Sequence, residues 1–502
     1  MPNIVLTFQK QRAHSLTIGL VNRLEEYASD FPTGIASDLI DTVKQLAIEM
    51  QKVADASDDV DIIELICRAT MQLGSYLTFF DNAHTEQTPS GLVCLVEHLV
   101  RCVNPGATVL LWPQSEYNYT KRDILPLLRR LVENVLPQST QDQIFSRFNS
   151  DVYLISFPRI ERDNILMHAV FGHEVGHLIA DEFLEHELTT PEYQQNLPKL
   201  MQLVSAMKSP NGASLTFQEQ TRMTDLLLRV RKRGLQELLS DMTEWVFFGP
   251  SAIMSSFGIL SSNSVDAPPS MPSLYPPNRQ RLRLLNKLFK ESLIKSSMEA
   301  VFEGGQSTPS QSEESNRRHV SKTVTKFLNE VISGSRFKKA KRGFTGRDLT
   351  TTKTAFNSFL ITLEQISSVD DDRKILESDP VLKIAYEWID TTLPIAQSWV
   401  EHRLQHANFD YSTIKDLADL IERLDLSIPP NERGIYPQNS PTTWQLAFLA
   451  GWLYKLQGKR LTSQSGEPLT HKDMQKIDSL VLKAVESIFL AERYQAMTEA
   501  QP

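Results

Sequence analysis

Two histidines four residues apart, with a glutamate directly after the first, form the pattern in this chain most able to do chemistry. Residues 171–177 read FGHEVGH. In a helix, His173 and His177 lie one turn apart on the same face, so their imidazole nitrogens can converge on one metal ion. Glu174 projects beside them and can act as a general base on water without closing the coordination sphere. The spacing therefore predicts a zinc site suited to hydrolysis.

A second acidic segment, QELLSD at 236–241, follows further along the chain. Glu237 can supply a third metal ligand, and Asp241, one turn later, can accept the outer N–H of a ligating histidine and fix its tautomer. Acidic pairs at this spacing also occur as solvated helix charges. The upstream histidine pair favours the ligand interpretation. The sequence thus predicts three metal ligands: His173, His177 and Glu237.

Together, these two segments resemble the gluzincin metallopeptidases, which include the thermolysin-like group and the CAAX-prenyl protease relatives. The resemblance covers roughly residues 150 to 290. It implies the fold of that family, a zincin core in which an edge strand borders the cleft and binds extended peptide. It also implies zinc as the cofactor. Each matching residue takes the role that it has in the family: His173, His177 and Glu237 are metal ligands, Glu174 is the general base, and Asp241 accepts the outer N–H of a ligating histidine.

Two departures from the family pattern modify this expectation. About sixty residues separate His177 from Glu237, so an insertion at about 187–215 could cover or gate the site. The chain also lacks the membrane spans of the prenyl-protease group, since its apolar stretches 246–260 and 444–456 are too short or too broken to cross a bilayer. The pattern therefore favours a soluble enzyme of the bacterial zincin type.

A third segment, YPPNRQR at 275–281, resembles the loop and helix that follow the third ligand in soluble bacterial zincins. Tyr275 stands where that group has a histidine. A phenol or a guanidinium near the metal could stabilise the negative oxygen that forms during hydrolysis, so Tyr275 and Arg281 are candidate catalytic residues. The alternative is a packing tyrosine beside two prolines and a surface arginine that caps a loop.

Helices must position most of these residues. Hydrophobic spacing and capping residues predict a motif helix over 164–185 and a second helix over 216–248, with a possible break near Gly234. Short β-rich runs bounded by proline, glycine or aspartate predict strands at 107–112 and 152–157, with a helix over 121–135 between them. Further helices are predicted at 352–366, 381–402 and 473–497.

This pattern predicts a predominantly helical α+β protein with four parts. They are a helical N-terminal region at 1–104, a zincin-like catalytic core with a small sheet at 105–303, a linker at 304–318, and a helical C-terminal domain at 319–502. The linker is placed by its run of glycine, serine and glutamine. The dense basic stretch at 336–347, with two aromatic residues, could contact RNA, but a solvated basic loop is the favoured interpretation.

Composition limits the remaining possibilities. The chain has 502 residues, 41% of them hydrophobic, and a formal net charge of -9, which argues against nucleic acid or anionic lipid as the main partner. The three cysteines, Cys67, Cys94 and Cys102, have neither metal-binding nor redox spacing, and the first residues lack a secretory signal. These features favour a reducing compartment, most simply a bacterial cytoplasm.

The function expected from these observations is that of a zinc endopeptidase. Its substrate would be a protein or peptide, and the large insertion and accessory helical regions favour one restricted protein over general digestion. The alternative is a catalytically silent scaffold or regulatory protein that keeps the fold and acts through its C-terminal helices. The intact Glu174 favours the enzyme, because a purely structural metal site does not need that carboxylate. The oligomeric state is not indicated by the sequence.

Overall fold

The computed structural model describes residues 4–31, 34–82, 88–208, 212–261, 265–271, 273–302, 350–410, 417–431, 443–460 and 467–499. The chain forms two compact units, 1–162 and 163–502. These units do not coincide with the four parts expected from the sequence: the sheet belongs to the first unit with the N-terminal helices, and the motif helix shares the second unit with the C-terminal helices. The predicted linker at 304–318 and the basic stretch at 336–347 lie outside the described residues.

The first unit is mainly helical. Its helices are α1 (Ile4–Asp30), α2 (Ile35–Ala56), α3 (Val60–Ser75), α4 (Leu77–Asn82), α5 (Ser90–Val103), α6 (Ile124–Val132) and α7 (Gln138–Phe145). The apolar stripes of α1, α2 and α3 meet in a core that includes Leu24, Leu46 and Ile63, all fully buried. The Asp59 side chain caps α3 by accepting a hydrogen bond from the backbone of Asp61. The described residues up to Val103 thus lie mainly in helices.

A three-stranded sheet completes this unit. Its strands are β1 (Thr108–Gln114), β2 (Thr120–Asp123) and β3 (Val152–Pro158), in the order β1-β3-β2. β1 runs parallel to β3, with Thr108 opposite Val152, and β2 runs antiparallel to it. Every residue of the central strand β3 is buried, as its continuous apolar run requires. The two predicted strands are confirmed.

The predicted helix at 121–135 is wrong at its start. Thr120–Asp123 form the edge strand β2, and the helix α6 begins only at Ile124. The pairing of β2 with β3 explains the difference, since the Thr120 and Ser156 hydroxyls lie 2.5 Å apart across the two strands. This contact between distant parts of the chain overrides the local helical pattern.

The second unit contains only helices among its described residues, apart from isolated bridges. They are α8 (Phe171–Leu188), α9 (Pro191–Ala206), α10 (Phe217–Phe248), α11 (Pro250–Leu260), α12 (Asn278–Phe302), α13 (Thr350–Ser367), α14 (Asp371–Ser378), α15 (Pro380–Arg403), α16 (Leu417–Asp425), α17 (Trp444–Gln457) and α18 (His471–Glu499). A 3₁₀ segment, Ile165–Val170, leads into α8. The predicted C-terminal helices at 352–366, 381–402 and 473–497 are confirmed as α13, α15 and α18.

The long helix α10 is continuous, and the break considered near Gly234 does not occur. A reciprocal capping box between Thr216 and Glu219 starts the helix, and Gly249, at φ 53, ends it before Pro250. Gly234 has a packing role, since a Cβ at this position would lie 2.6 Å from Ile389 of α15. The insertion predicted at about 187–215 is largely the helix α9, which packs against α8 and α10.

None of the helices in the described ranges is both long and apolar enough to span a membrane.

Candidate metal centre

Two glycines on α8 allow this helix to pack unusually close to α10. A Cβ at Gly176 would lie 2.6 Å from the Cα of Ser240, and one at Gly172 would lie 3.0 Å from the Cα of Glu244. The distance at Gly176 is shorter than real Cβ atoms show and the one at Gly172 is unusually tight, so a larger residue at Gly176 would push the helices apart. The glycines lie on the face of α8 that meets α10, and the histidines between and after them are thereby brought to the acidic face of α10.

At this contact the three predicted ligands converge. Nε2 of His173 lies 3.3 Å from Oε2 of Glu237, and Nε2 of His177 lies 3.9 Å from Oε1. One ligand atom from each of the three residues lies within 4.8 Å of the others. The two imidazole rings are nearly perpendicular, at 85°, with centroids 4.9 Å apart. Two imidazole nitrogens and one carboxylate form a donor set typical of catalytic zinc, which leaves one position open.

The ionisation and hydrogen bonding of Glu237 suit a bound cation. Oε1 of Glu237 is buried and accepts no hydrogen bond, although the Arg233 guanidinium lies 2.9 Å away as an ion pair. Burial alone would raise the pKa of Glu237, but its hydrogen bond with His173 and the charge of Arg281 hold the pKa well below the ordinary value. A buried, ionised oxygen without a hydrogen-bond donor is the atom that a metal ion would satisfy.

The two histidines differ in protonation. Burial and the nearby charge of His173 lower the pKa of His177 to about 3, so His177 is neutral and its lone pair is available. Burial also lowers the pKa of His173, but hydrogen bonds with Asp241 and Glu237 outweigh it and raise the pKa to about 10. His173 therefore carries a proton in the metal-free protein and would release it when zinc binds.

Each histidine is held at its outer nitrogen by a residue of α10. Asp241 places Oδ1 2.8 Å from Nδ1 of His173, as predicted from the sequence. Ser240 places its hydroxyl 3.1 Å from Nδ1 of His177. Ser240 was not among the predicted site residues, although one signal was available: it precedes Asp241 and lies three residues after Glu237, on the same face of the helix.

Glu174 lies beside the ligands but is not one of the three converging residues. Its side chain is buried, and this burial raises its pKa to about 7, with the charge of His173 opposing the rise and that of Glu237 adding to it. A carboxylate with a pKa near neutrality can both take up and return a proton at physiological pH. The geometry is therefore compatible with the role of general base.

Arg281 is buried behind the ligands instead of facing a substrate. Its guanidinium binds both oxygens of Asp241, at 2.7 and 2.8 Å, and lies 3.3 Å from Oε2 of Glu237. Burial lowers the pKa of Arg281, but the charge of Asp241 more than reverses this effect, and the net shift is upward. Only 12% of the side chain is exposed. The surface-arginine alternative is therefore wrong, and the contacts of Arg281 assign it to orienting the ligands.

Tyr275 is linked to the third ligand through Arg233. Its side chain is 45% exposed, and its ring packs under the guanidinium of Arg233 at 4.4 Å. Arg233 in turn contacts Glu237. Arg233 was not among the predicted site residues, although its position one turn before Glu237 on α10 places both on one face.

A buried glutamate, Glu244, extends the network along α10. It accepts hydrogen bonds from the hydroxyls of Ser255, at 2.9 Å, and Ser256, at 2.8 Å. Burial raises its pKa to about 8, so Glu244 is mainly protonated at neutral pH. With His173 and Asp241 it forms a second group of convergent donors. Because Arg281 already neutralises Asp241 and His173 belongs to the first group, this set supports the first group and is not an independent metal site.

Comparison with known proteins adds no assignment to this geometry. No family model, no curated protein and no solved structure matches the chain. The resemblance to gluzincins therefore depends on the residues of the site alone.

Proposed function

We propose that the protein is a zinc-dependent endopeptidase of the gluzincin type that hydrolyses peptide bonds in a restricted protein substrate. One observation carries the proposal: His173, His177 and Glu237 converge at a buried point, and Glu174 lies beside them without joining the set. A structural zinc site is normally closed by four protein ligands, whereas a hydrolytic site has three and a neighbouring base.

Each residue then has a defined task. Zinc held by the three ligands would supply Lewis acidity toward a carbonyl oxygen and would acidify water. Glu174 takes a proton from the attacking water and returns it to the nitrogen of the leaving amine. Asp241 and Ser240 hold the ligating imidazoles in fixed tautomers. Among the described residues of the insertion, α9 packs on both helices of the site and is the element best placed to restrict access.

One observation favours the catalytically silent scaffold as the second candidate. Arg233 and Arg281 both contact Glu237, at 2.9 and 3.3 Å, so the third ligand is charge-balanced without an ion. In that case the protein would bind little zinc, or would bind it without hydrolysis, and would act through its C-terminal helices. The two candidates differ in whether Glu174 matters.

The test compares the wild-type protein with Glu174→Gln. This substitution keeps the size of the side chain and removes the basic carboxylate. We expect about one zinc per chain in both proteins and a roughly hundred- to ten-thousand-fold loss of hydrolysis in the variant. Because the substrate is unknown, new protein termini are compared in cells that produce either form, and a peptide that spans a cleaved site then serves as the assay substrate.

Two controls complete the experiment. His177→Ala should lose both zinc and hydrolysis, which separates loss of metal from loss of the base. Glu182→Gln, an exposed position on the same helix that pairs with Arg403, should behave like the wild type. Identical termini in cells with wild-type protein and with Glu174→Gln would refute the peptidase and leave the scaffold.

A further inference from the structure

The side of the site nearest the surface is formed by an arginine that the peptidase mechanism above does not use. Arg233 is 30% exposed, compared with 16% for His177 and 2% for Glu237. Its Nη2 lies 2.9 Å from Oε1 of Glu237, and its guanidinium carbon lies 4.4 Å from the ring centroid of Tyr275. Arg233 therefore lies between the third ligand and the aromatic side chain at the rim.

The other arginine of the site is fully engaged. Arg281 gives two hydrogen bonds to Asp241, and its side chain is only 12% exposed. Moving it toward a substrate would remove two charged hydrogen bonds from the completely buried carboxylate of Asp241, which is costly. Arg281 is therefore fixed behind the ligands, and Arg233 is the guanidinium able to face a substrate.

The contact between Arg233 and Glu237 is a close ion pair without a hydrogen bond. Although the two charges are close, Oε1 of Glu237 receives no hydrogen bond of acceptable geometry. A divalent cation held by Glu237 would neutralise that carboxylate and leave Arg233 without its anionic partner. The stacking on Tyr275 would then keep the guanidinium in place, because a planar cation binds well to the face of an aromatic ring.

We propose that Arg233 is a catalytic residue that stabilises the negative charge on the carbonyl oxygen of the scissile peptide, and that Tyr275 is its positioning residue. This inference depends on the proposed peptidase function. The water oxygen forms a bond to the carbonyl carbon, the π electron pair moves to the carbonyl oxygen, and Glu174 takes the water proton. When the carbon–nitrogen bond breaks, the pair returns and Glu174 gives the proton to the amine. Arg233 donates hydrogen bonds to the oxygen throughout and keeps its own protons.

The kinetic test uses Arg233→Ala and Arg233→Lys, with Arg229→Ala as a matched control. Arg229 lies one turn earlier on α10, is 51% exposed and pairs with Asp225, so its loss should leave hydrolysis unchanged. Arg233→Ala should lower kcat about 10²- to 10³-fold with little change in KM, the effect typical of losing one donor to the transition state. Arg233→Lys should recover only part of this loss, and added guanidinium chloride should partly restore Arg233→Ala.

Tyr275 is tested by a pair of substitutions that separate its ring from its hydroxyl. Tyr275→Leu removes the stacking surface and should lower kcat more than Tyr275→Phe, which keeps it. If the two variants lose activity equally, the hydroxyl matters and the ring does not position Arg233.

A binding experiment without turnover decides the question independently. The protein is loaded with cobalt, and phenylphosphonate, a tetrahedral anion, is titrated while the cobalt absorption spectrum is recorded. We expect Arg233→Ala to bind phenylphosphonate about tenfold more weakly than wild type and to retain full zinc content. Loss of zinc from Arg233→Ala would assign Arg233 to supporting Glu237 and overturn the proposal.

The two hypotheses fail in different ways. If the wild-type protein hydrolyses no peptide, the peptidase function is refuted, and the phosphonate titration still tests whether Arg233 binds a tetrahedral anion. If Arg233→Ala hydrolyses the peptide as fast as the wild type does, the role of Arg233 is refuted and the peptidase function stands.

Discussion

The hydroxyl of Ser240 lies 3.1 Å from Nδ1 of His177 and 2.7 Å from the carbonyl oxygen of Gln236, one turn earlier on α10. A serine hydroxyl has one hydrogen to donate, and the Gln236 carbonyl can only accept it. The Ser240 oxygen therefore accepts the Nδ1–H of His177. This contact selects the tautomer whose lone pair is on Nε2, the nitrogen that faces Glu237.

Ser240→Ala should therefore weaken zinc binding while preserving the fold. We expect about a tenfold loss of zinc affinity, because His177 loses the acceptor that fixes its tautomer and ring orientation. The measurement is competition with a chelator of known affinity. Thr42→Val is the control, since it removes a buried hydroxyl that also bonds to a carbonyl four residues earlier, in the other compact unit. Equal zinc affinities in wild type and Ser240→Ala would contradict this role.

Asp241→Asn should cost both stability and zinc affinity. The carboxylate of Asp241 is completely buried and pairs with Arg281, so an amide removes the closer of the two carboxylates that Arg281 contacts, at about 3 to 5 kcal/mol of unfolding free energy. The double variant Asp241→Leu with Arg281→Met should recover most of that stability in urea titrations but not the zinc affinity. Full zinc affinity in the double variant would show that His173 needs no acceptor behind it.

Gly176→Ala should separate the two helices of the site. The new Cβ would lie 2.6 Å from the backbone of Ser240, so we expect a loss of roughly 1 to 3 kcal/mol in unfolding free energy and of most zinc binding. Gly19→Ala is the matched control within a helix. Nothing lies within 4 Å of a Cβ at that position, and alanine there should stabilise α1 by about 0.5 to 1 kcal/mol. Similar effects of the two substitutions would refute the close-packing argument.

The stability of the metal-free protein should fall with rising pH because of Glu244. Its pKa is raised from 4.5 to about 8 by burial, so the folded protein binds this proton more tightly than the unfolded chain does. The contribution to unfolding free energy is complete below pH 4.5 and is lost as the pH rises toward 8. Urea titrations of wild type and Glu244→Gln at several pH values test this. The difference in unfolding free energy between the two proteins should change between pH 4.5 and pH 8. A constant difference would mean that Glu244 stays ionised in the folded protein.

The sequence alone was sufficient to identify the residues that converge. His173, His177 and Glu237 follow from helical spacing and from the chemistry of zinc ligands, and Asp241 follows from its distance of one turn from Glu237. Ser240, Arg233 and Glu244 were missed because helical spacing places the first two on the face of Glu237 without indicating a partner, and Glu244 has no such signal. Their roles arise from contacts with α8, with Tyr275 and with α11, and such contacts are a tertiary property.

The limits of the fold prediction have a similar cause. Helices with strong apolar periodicity, such as α13, α15 and α18, were located well, and so were the two buried strands. The edge strand at Thr120–Asp123 was not, because its conformation depends on pairing with β3. The possible helix break at Gly234 was considered from glycine propensity alone, whereas the packing of Ile389 against that glycine explains why it occurs in a continuous helix.

The arginines beside Glu237 also have a consequence for the kinetics of metal loading. An arriving divalent cation meets guanidinium groups 2.9 and 3.3 Å from the carboxylate oxygens, so long-range attraction toward the site is weak. The proton on His173 must also leave before that nitrogen can bind. Association with zinc should therefore be slow and should accelerate at higher pH, even if the final complex is tight. Where free zinc is scarce, the fraction of active molecules would be determined by how fast the ion enters and not by how firmly it is held.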